Sequence, residues 1–483
     1  MTIVNSVNAF VSDILAEKQD FLTDVSDFIW KHPETRFEEY TSMNHLCTAL
    51  EAEEFIVEKN IADIETAFTG TYGSGHPIIG ILGEFDALSG LSQKPGVSNP
   101  EAVIPGGNGH GCGHNLLGTG SLAAAIAIKE YLKANNLSGT VQYFGCPGEE
   151  GGSGKTFMAR EGAFDHLDFA LTWHPSAANG MMSLSSLANY QVYFRFKGIS
   201  SHAAASPHLG RSALDAVELM NVGVNYLREH VKPDARMHYS VTNTGGKSPN
   251  VVQSDAEVLY LIRSPKMQDV KDIYERICKI AHGAAQMTET TVSIEMDKAC
   301  SNYIPNRNLE KVMYEKLKEV EDTILYTDEE MNYAKQIWDS LSVNEKDSAF
   351  DSLKAFGAIK DTDKLKEAYL SNVVSDYVPL DMAMPGSTDV ADVSWVVPTA
   401  QCSTATCAIG TPAHSWQMVT QGTTSVAHKG MLRSGNVMAL TAIDVLQNPD
   451  KLEEIQKEFK EKFKDTPYEC PIPKDVKPSA LKE

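Results

Sequence analysis

At 483 residues the chain can bury a large core, and its length favours two domains over one. It carries 42 Lys+Arg against 64 Asp+Glu, a formal net charge of -22 that no basic tract relieves, which argues against nucleic acid as a partner. No segment reaches the roughly 18–20 apolar residues that span a bilayer, the N-terminal stretch has no leader pattern, and eight scattered cysteines do not make a disulfide scaffold, so a cytoplasmic protein with no membrane partner is expected.

The first stretch, about 4–60, reads as helices broken at Pro33, because the residue before a proline leaves the helical region. One helix ends over Phe28–His32 and the next begins near Glu38. Ile78–Phe85 is a short apolar run after a Gly-rich turn and predicts a buried strand. Residues 115–133, with Leu116, Leu117, Leu122, Ala123–Ile128 and Leu132, predict a helix apolar on most faces and packed on a sheet. Thr140–Phe144 and Phe169–Thr172 are again short strands. This alternation predicts an α/β fold whose central sheet, mostly parallel and flanked by helices, presents its site at the C-terminal strand ends.

The pattern changes near Asn189. Val192, Phe194 and Phe196 alternate with Tyr193, Arg195 and Lys197, as in a strand with one wet face. A helix at about 211–230, strands near 237–243 and 256–263, a helix after Pro265 to about 285 and a strand at 290–296 follow. That order predicts a smaller α+β unit with a four-stranded antiparallel sheet and two helices, closing near Ser301. Helix-rich sequence then resumes, so the unit reads as an insertion: 1–188 and 302–483 form one domain in two segments, and 189–301 the inserted one. Residues 302–375 are charged and helical, with acid-rich turns expected at Asp328–Glu330 and Asp347, and suggest peripheral helices or a dimer-side elaboration. Small and polar residues return over 386–430, before helices at about 431–447 and 450–463 and a Pro-rich tail.

Three apolar runs end in ligand chemistry: His110-Gly111-Cys112-Gly113-His114, Cys146-Pro147-Gly148-Glu149-Glu150 and Trp173-His174-Pro175. Cys112 and His114 are two apart, so a tight turn can aim both at one ion, and a thiolate with imidazoles and a carboxylate suits zinc or a similar divalent ion. Glu149 and Glu150 would repel one another at the end of an apolar strand, and a cation relieves both that repulsion and their desolvation. Their side chains diverge, so one can bind metal while the other faces substrate; spacing alone does not say which is the base. His174 follows Glu150 by enough chain for a helix and a returning strand. His414, in the small-residue loop Gly410-Thr411-Pro412-Ala413-His414-Ser415-Trp416, is preferred over His428 because Gly and Pro fix its loop. A zinc-dependent dehydrogenase would need a dinucleotide-binding Gly fingerprint at the start of a βα unit, and the chain has none.

Taken together, His110-x-Cys112-Gly113-His114, Glu149-Glu150, His174 and the late His414 resemble the M20 family of metallopeptidases, in its amidohydrolase branch. Further matching segments are Lys31-His32-Pro33-Glu34, Gly83-Glu84-Phe85-Asp86-Ala87-Leu88 and Ser387-Thr388-Asp389, and the likeness spans nearly the whole chain. The resemblance implies a large dinuclear-metal catalytic domain with an inserted lid and dimerisation domain. It implies two divalent ions per subunit, Mn2+ or Zn2+, held by Cys112, His114, Glu150, His174 and His414, with Glu149 as general base and acid. Asn115 stands where many branch members carry aspartate, which leaves the support behind the ligands open. Ser201-His202-Ala203-Ala204 matches a motif whose histidine reaches the site of a partner copy, so a homodimer is implied. Asn250 and Arg263 match substrate-side positions, the arginine offering a fork for a carboxylate.

The implied activity is hydrolysis of the amide of an N-acyl or N-aroyl amino acid, with p-aminobenzoyl-glutamate, cleaved to p-aminobenzoate and glutamate in folate catabolism, as the leading substrate. Other N-acyl amino acids or dipeptides, and a non-catalytic regulatory role alongside a homologous A-type subunit, are the alternatives.

Overall fold

The computed structural model describes residues 6–321, 325–355 and 369–481. Among the described residues eleven strands form two sheets: β1 (Ile56–Lys59), β2 (Phe68–Ser74), β3 (Ile78–Glu84), β4 (Gly139–Cys146), β5 (Phe169–Ser176), β6 (Gly180–Met181), β7 (Ala188–Lys197), β8 (Arg236–Asn243), β9 (Asp255–Ser264), β10 (Thr291–Cys300) and β11 (Thr399–Ala405). The large sheet runs β1-β2-β4-β3-β5-β11-β6. Its centre, β4-β3-β5-β11, is parallel, and antiparallel pairings add the edges.

The apolar runs Ile78–Phe85, Thr140–Phe144 and Phe169–Thr172 supply the central strands, as the sequence predicts. Such strands must be covered on both faces. The helix His114–Asn135 is buried along nearly its whole length and packs on β3, with the long helix Ser425–Gln447 packed beside it and on β11. Those two helices touch at Gly435, where an added Cβ would come within 2.8 Å of Ala123 Cβ and 3.1 Å of Gly120 O. Only glycine permits that approach.

Several elements escape the periodicity, among them β1, a strand inside the stretch 4–60 that reads as helical. β11 is rich in Thr, Ser, Gln and Cys and is nevertheless almost wholly buried, because it lies between β5 and β6 in register Thr399 to Ala170 through Ala405 to Ser176. Its pairing, rather than intrinsic preference, makes it a strand. The acid-rich turn expected at Asp328–Glu330 is instead the first turn of the helix Asp328–Ser340, closed by a capping box between Thr327 and Glu330. Asp347 likewise lies within the helix Val343–Ala355. The expected helical run 302–375 otherwise contains Arg307–Glu319, and its part at 356–368 lies outside the described residues.

The second sheet is antiparallel throughout, in the order β10-β7-β9-β8, with the helices Ala213–Leu227 and Met267–Met287 packed on it. The element order is that read from the sequence. Val192, Phe194 and Phe196 are buried as predicted, and so, against the expected wet face, is Tyr193. The Arg195 guanidinium stacks 4.8 Å from its ring centre and covers it.

Candidate metal centre

β3, β4 and β5 are parallel neighbours, so their C-terminal ends open on one edge of the sheet. β3 brings Glu84 and Asp86, two apart and both buried, while Phe85 between them turns into the core. After β4, Gly148 at φ 66° and Gly151 at φ 78° make the tight turn that carries Glu149 and Glu150. β5 delivers His174.

Cys112 and His114 enter from the loop that starts the helix His114–Asn135. Gly113, at φ 75°, caps that helix, and a Cβ there would also press on Met418 and Pro175. His414 arrives from about 300 residues away, docked by a backbone hydrogen bond from its N–H to Gly111 O at 2.9 Å. His414 itself adopts φ 55°, which is unusual for a residue with a side chain and is typical of functional loops.

The donor atoms converge in overlapping sets. Those of Cys112, His114 and His174 lie within 4.8 Å of one another, and so do those of Cys112, Glu150 and His414. Cys112 belongs to both, so its thiolate could serve an ion held by either set. Its Sγ is 3.4 Å from His174 Nε2, and Glu150 Oε1 is 3.0 Å from His414 Nε2. A third set joins Glu84, His114 and Glu149, so Glu149 stands beside the cluster while Glu150 takes part in the other half of it.

The ring orientations fit a metal. His114 Nδ1 is hydrogen-bonded to Asp86 Oδ1 at 2.9 Å, and its buried Nε2 makes no hydrogen bond but lies 3.2 Å from Glu84 Oε2. His174 Nδ1 donates to Pro175 O at 2.8 Å, which leaves its Nε2 lone pair facing Cys112. Spending one ring nitrogen on an outer acceptor is how ligand histidines are oriented. The donor set of sulfur, nitrogen and oxygen suits zinc or a similar divalent ion.

Electrostatics point the same way. Burial, joined by the charges of Glu84 and Glu150, holds Glu149 well above the usual carboxylate range. Burial also pushes the Cys112 thiol up, with Glu150 adding to it. Glu150 is largely buried, but its contact with His414 and the charge of His114 outweigh that burial and hold it at about 2. Clustered acids and a thiol out of water are stable together when a cation lies among them.

Residues outside the expected ligand set organise this site. Asp86 Oδ1 holds His114 and its Oδ2 accepts the Glu150 N–H at 2.8 Å, so one carboxylate positions two ligand candidates. Lys155, fully buried, lies 2.7 Å from Glu84 Oε1 and 2.5 Å from Asp389 Oδ1. Arg36 forks onto Asp297 of β10 with two contacts of 3.1 Å and also donates to Gly151 O. Phe37 packs under Gly148 and Gly152, and Glu39 Oε1 accepts the Gly148 N–H at 2.9 Å. The signal for Glu84 and Asp86 was present as two acids at alternate positions ending a buried strand; for Lys155 there was none.

The other singled-out residues lie elsewhere. His110 is buried, bonds Ile29 O at 3.1 Å and is pushed down to about 3 by burial and by His114, so it is a neutral core group. His428 pairs with Asp27 at 2.9 Å on the long helix. Asn115 donates to Ser26 and Gly422 O, each at 3.0 Å, so support behind the ligands comes from Asp86 instead. His202 is exposed, and its Nδ1 accepts the N–H groups of Ala204 and Ala205, which puts the proton on Nε2. Asn250 is its neighbour across the Ala203 N to Asn250 O bond, and Arg263 lies on β9 between Asn189 and Arg236. None of these three belongs to the metal-capable sets of this chain.

Residues 81–415 match the model for peptidase family M20/M25/M40, and the chain belongs to that family of hydrolases. Over 484 aligned residues it is 52% identical to the B component of p-aminobenzoyl-glutamate hydrolase from Escherichia coli (strain K12), covering 99% of this chain and 100% of that protein. Its fold is similar to the crystal structure of an aminobenzoyl-glutamate utilization protein from Klebsiella pneumoniae, with a TM-score of 0.61 at 15% identity over 91% of this chain and 99% of that one. It is also similar to a dinuclear metal binding peptidase of the M20 family from Bacillus subtilis, with a TM-score of 0.54 at 15% identity and the same coverage. Among the described residues no helix is long and apolar enough to cross a membrane.

Proposed function

We propose that the chain hydrolyses the amide bond of p-aminobenzoyl-glutamate, releasing p-aminobenzoate and glutamate. The observation that carries this reading is the divergence of the adjacent glutamates: Glu150 among Cys112 and His414, Glu149 against His114 and free of that set. Cys112, His114, Glu150, His174 and His414 would hold two divalent ions, Mn2+ or Zn2+. Bound there, the ions supply Lewis acidity to the scissile carbonyl and lower the pKa of the attacking water. Glu149 takes the proton of that water and returns one to the departing amine, which is a poor leaving group as an anion.

His202 presents an Nε2–H, the tautomer that can donate to an oxygen becoming negative. We assign it to the site of a second copy, with 189–301 as a lid and dimerisation domain between the two segments 1–188 and 302–483. A homodimer is supported by the outward apolar row Leu219, Val222 and Tyr226, one to two turns apart on the helix Ala213–Leu227. Asn250 and Arg263 then serve the substrate's amino-acid half. That the Escherichia coli relative is itself one component of a hydrolase supports association with a homologous A-type subunit as well. Eight free cysteines suit the reducing cytoplasm.

The test is turnover of p-aminobenzoyl-glutamate by metal-reconstituted protein beside a Glu149→Ala variant. Loss of about 10²–10⁴-fold with metal content unchanged is expected for a general base. Equal turnover removes Glu149 from the mechanism, and no turnover by the intact protein removes the substrate.

A further inference from the structure

The chain passes from the large unit into β7 and back out of β10, and the two crossings lie side by side: Asn189 pairs with Cys300 across the strands and donates to the Cys300 Sγ at 2.9 Å. Two adjacent crossings make a hinge, and a hinge alone leaves the angle between its halves free. We propose that residues 464–480, which follow the helix Pro449–Phe463, form a strap that fixes this angle and with it the fit of the lid over the metal cluster, Asp392 being the pin. The inference rests on the reading of 189–301 as a lid.

Asp392, fully buried on the helix Val390–Val396, collects donors from hinge, strap and catalytic turn. From the hinge come the Ser301 N–H at 2.9 Å and its hydroxyl at 2.7 Å. From the strap comes the Tyr468 hydroxyl at 2.9 Å. From the helix Gly154–Arg160, which continues the turn bearing Glu149 and Glu150, comes the Thr156 hydroxyl at 2.7 Å. A carboxylate out of water depends on its donors, so the segments that supply them are held in one geometry.

Beyond the pin the strap grips both units. On the large one, Arg160 donates to Pro473 O at 2.8 Å and Val476 O at 2.9 Å, and Arg36, already forked onto Asp297, reaches Ala480 O at 3.4 Å. On the inserted one, Lys271 of the helix Met267–Met287 pairs with Glu469 at 2.8 Å. Ile472 is buried, and Tyr468, Cys470 and Val476 pack on a core that joins Phe157 and Val390 to Val192 and Phe194. A cleft of ≈ 750 Å³ separates Tyr190, Tyr274 and Met296 of the inserted unit from Pro473, Val476 and Lys477 of the strap. Close packing there would weld the two together; the cleft leaves the inserted unit room to rock, and the strap sets how far.

The experiment is hydrogen exchange on metal-reconstituted protein. The parent is compared with Tyr468→Phe, which takes only the strap's hydroxyl from the pin, and with Arg160→Met, which releases the strap at Pro473 and Val476. Tyr143→Phe is the control, since it removes a buried hydroxyl bonded to Gly118 O inside the large unit. In both strap variants, peptides spanning the hinge at 186–194 and 296–303 are expected to exchange about tenfold faster, with β3 and β5 changed less than about twofold, and the control leaves the hinge as it was. Alongside, kcat/KM on p-aminobenzoyl-glutamate is expected to fall about three- to tenfold with metal content unchanged. Hinge exchange unaltered in either strap variant, or raised equally in the hinge, β3 and β5, overturns the strap; so does a hinge loosened as much by Tyr143→Phe. Faster hinge exchange with turnover intact overturns its link to the site. If the parent shows no turnover, the hydrolytic reading fails alone, and hinge exchange still decides the strap.

Discussion

Asp86 touches two ligand candidates at once, orienting the ring of His114 and pinning the backbone that carries Glu150. Replacing such an outer carboxylate commonly lowers metal affinity by about 10–100-fold. Asp86→Asn is therefore expected to show that loss in a chelator competition, and unchanged affinity would show that the rings orient themselves. Glu310, outside the metal-capable sets, makes a different point about buried acids. It accepts from Tyr377 and Arg307 at 2.8 and 2.9 Å, yet burial pushes it up to about 7. A carboxyl whose folded pKa exceeds its unfolded value stabilises the fold at low pH, and that stability is lost as pH rises from about 4.5 through 7. The shift corresponds to about 3 kcal/mol. Denaturation of Glu310→Gln beside the parent between pH 4.5 and 8 should show the parent losing about that much more; parallel curves would refute it.

The loop of Glu149 and Glu150 depends on an element that contributes no ligand. Arg36, Phe37 and Glu39 precede the helix Tyr40–Ala52 and grip that loop through Gly151 O, through the glycines at 148 and 152 and through the Gly148 N–H. Arg36 also binds Asp297 of β10, with both side chains almost fully buried. Removing one partner of a buried ion pair strands the other and costs about 3–5 kcal/mol. Arg36→Ala should therefore lower unfolding free energy by that much and reduce turnover, while Arg36→Lys, which keeps charge but not the fork, falls between. An Arg36→Ala protein within about 1 kcal/mol of the parent would contradict the ion pair's role.

At the scale of the whole molecule, the proposed supply of His202 by a second copy would make activity a property of the assembly. Mixing His202→Ala chains with Glu149→Ala chains should restore activity, since a mixed pair retains one intact site; random pairing gives about a quarter of the parental rate. No recovery over either variant alone would show that His202 does not act across subunits.

The ligand candidates were legible in the chain because each ends an apolar run or sits in a loop marked by Gly and Pro. The central strands, the two long buried helices and the β-α-β-β-α-β order were legible because their periodicity is local. β11 was not, since its polar composition becomes a strand only between β5 and β6. Lys155 with Asp389, the Arg36 clamp and the donors around Asp392 were not either, because each joins distant segments that no spacing relates. Residue types and local pattern thus determined which atoms can hold a metal and which elements carry them. Only the tertiary structure decided which atoms face one another, because long-range packing sets side-chain convergence and the charge balance around it.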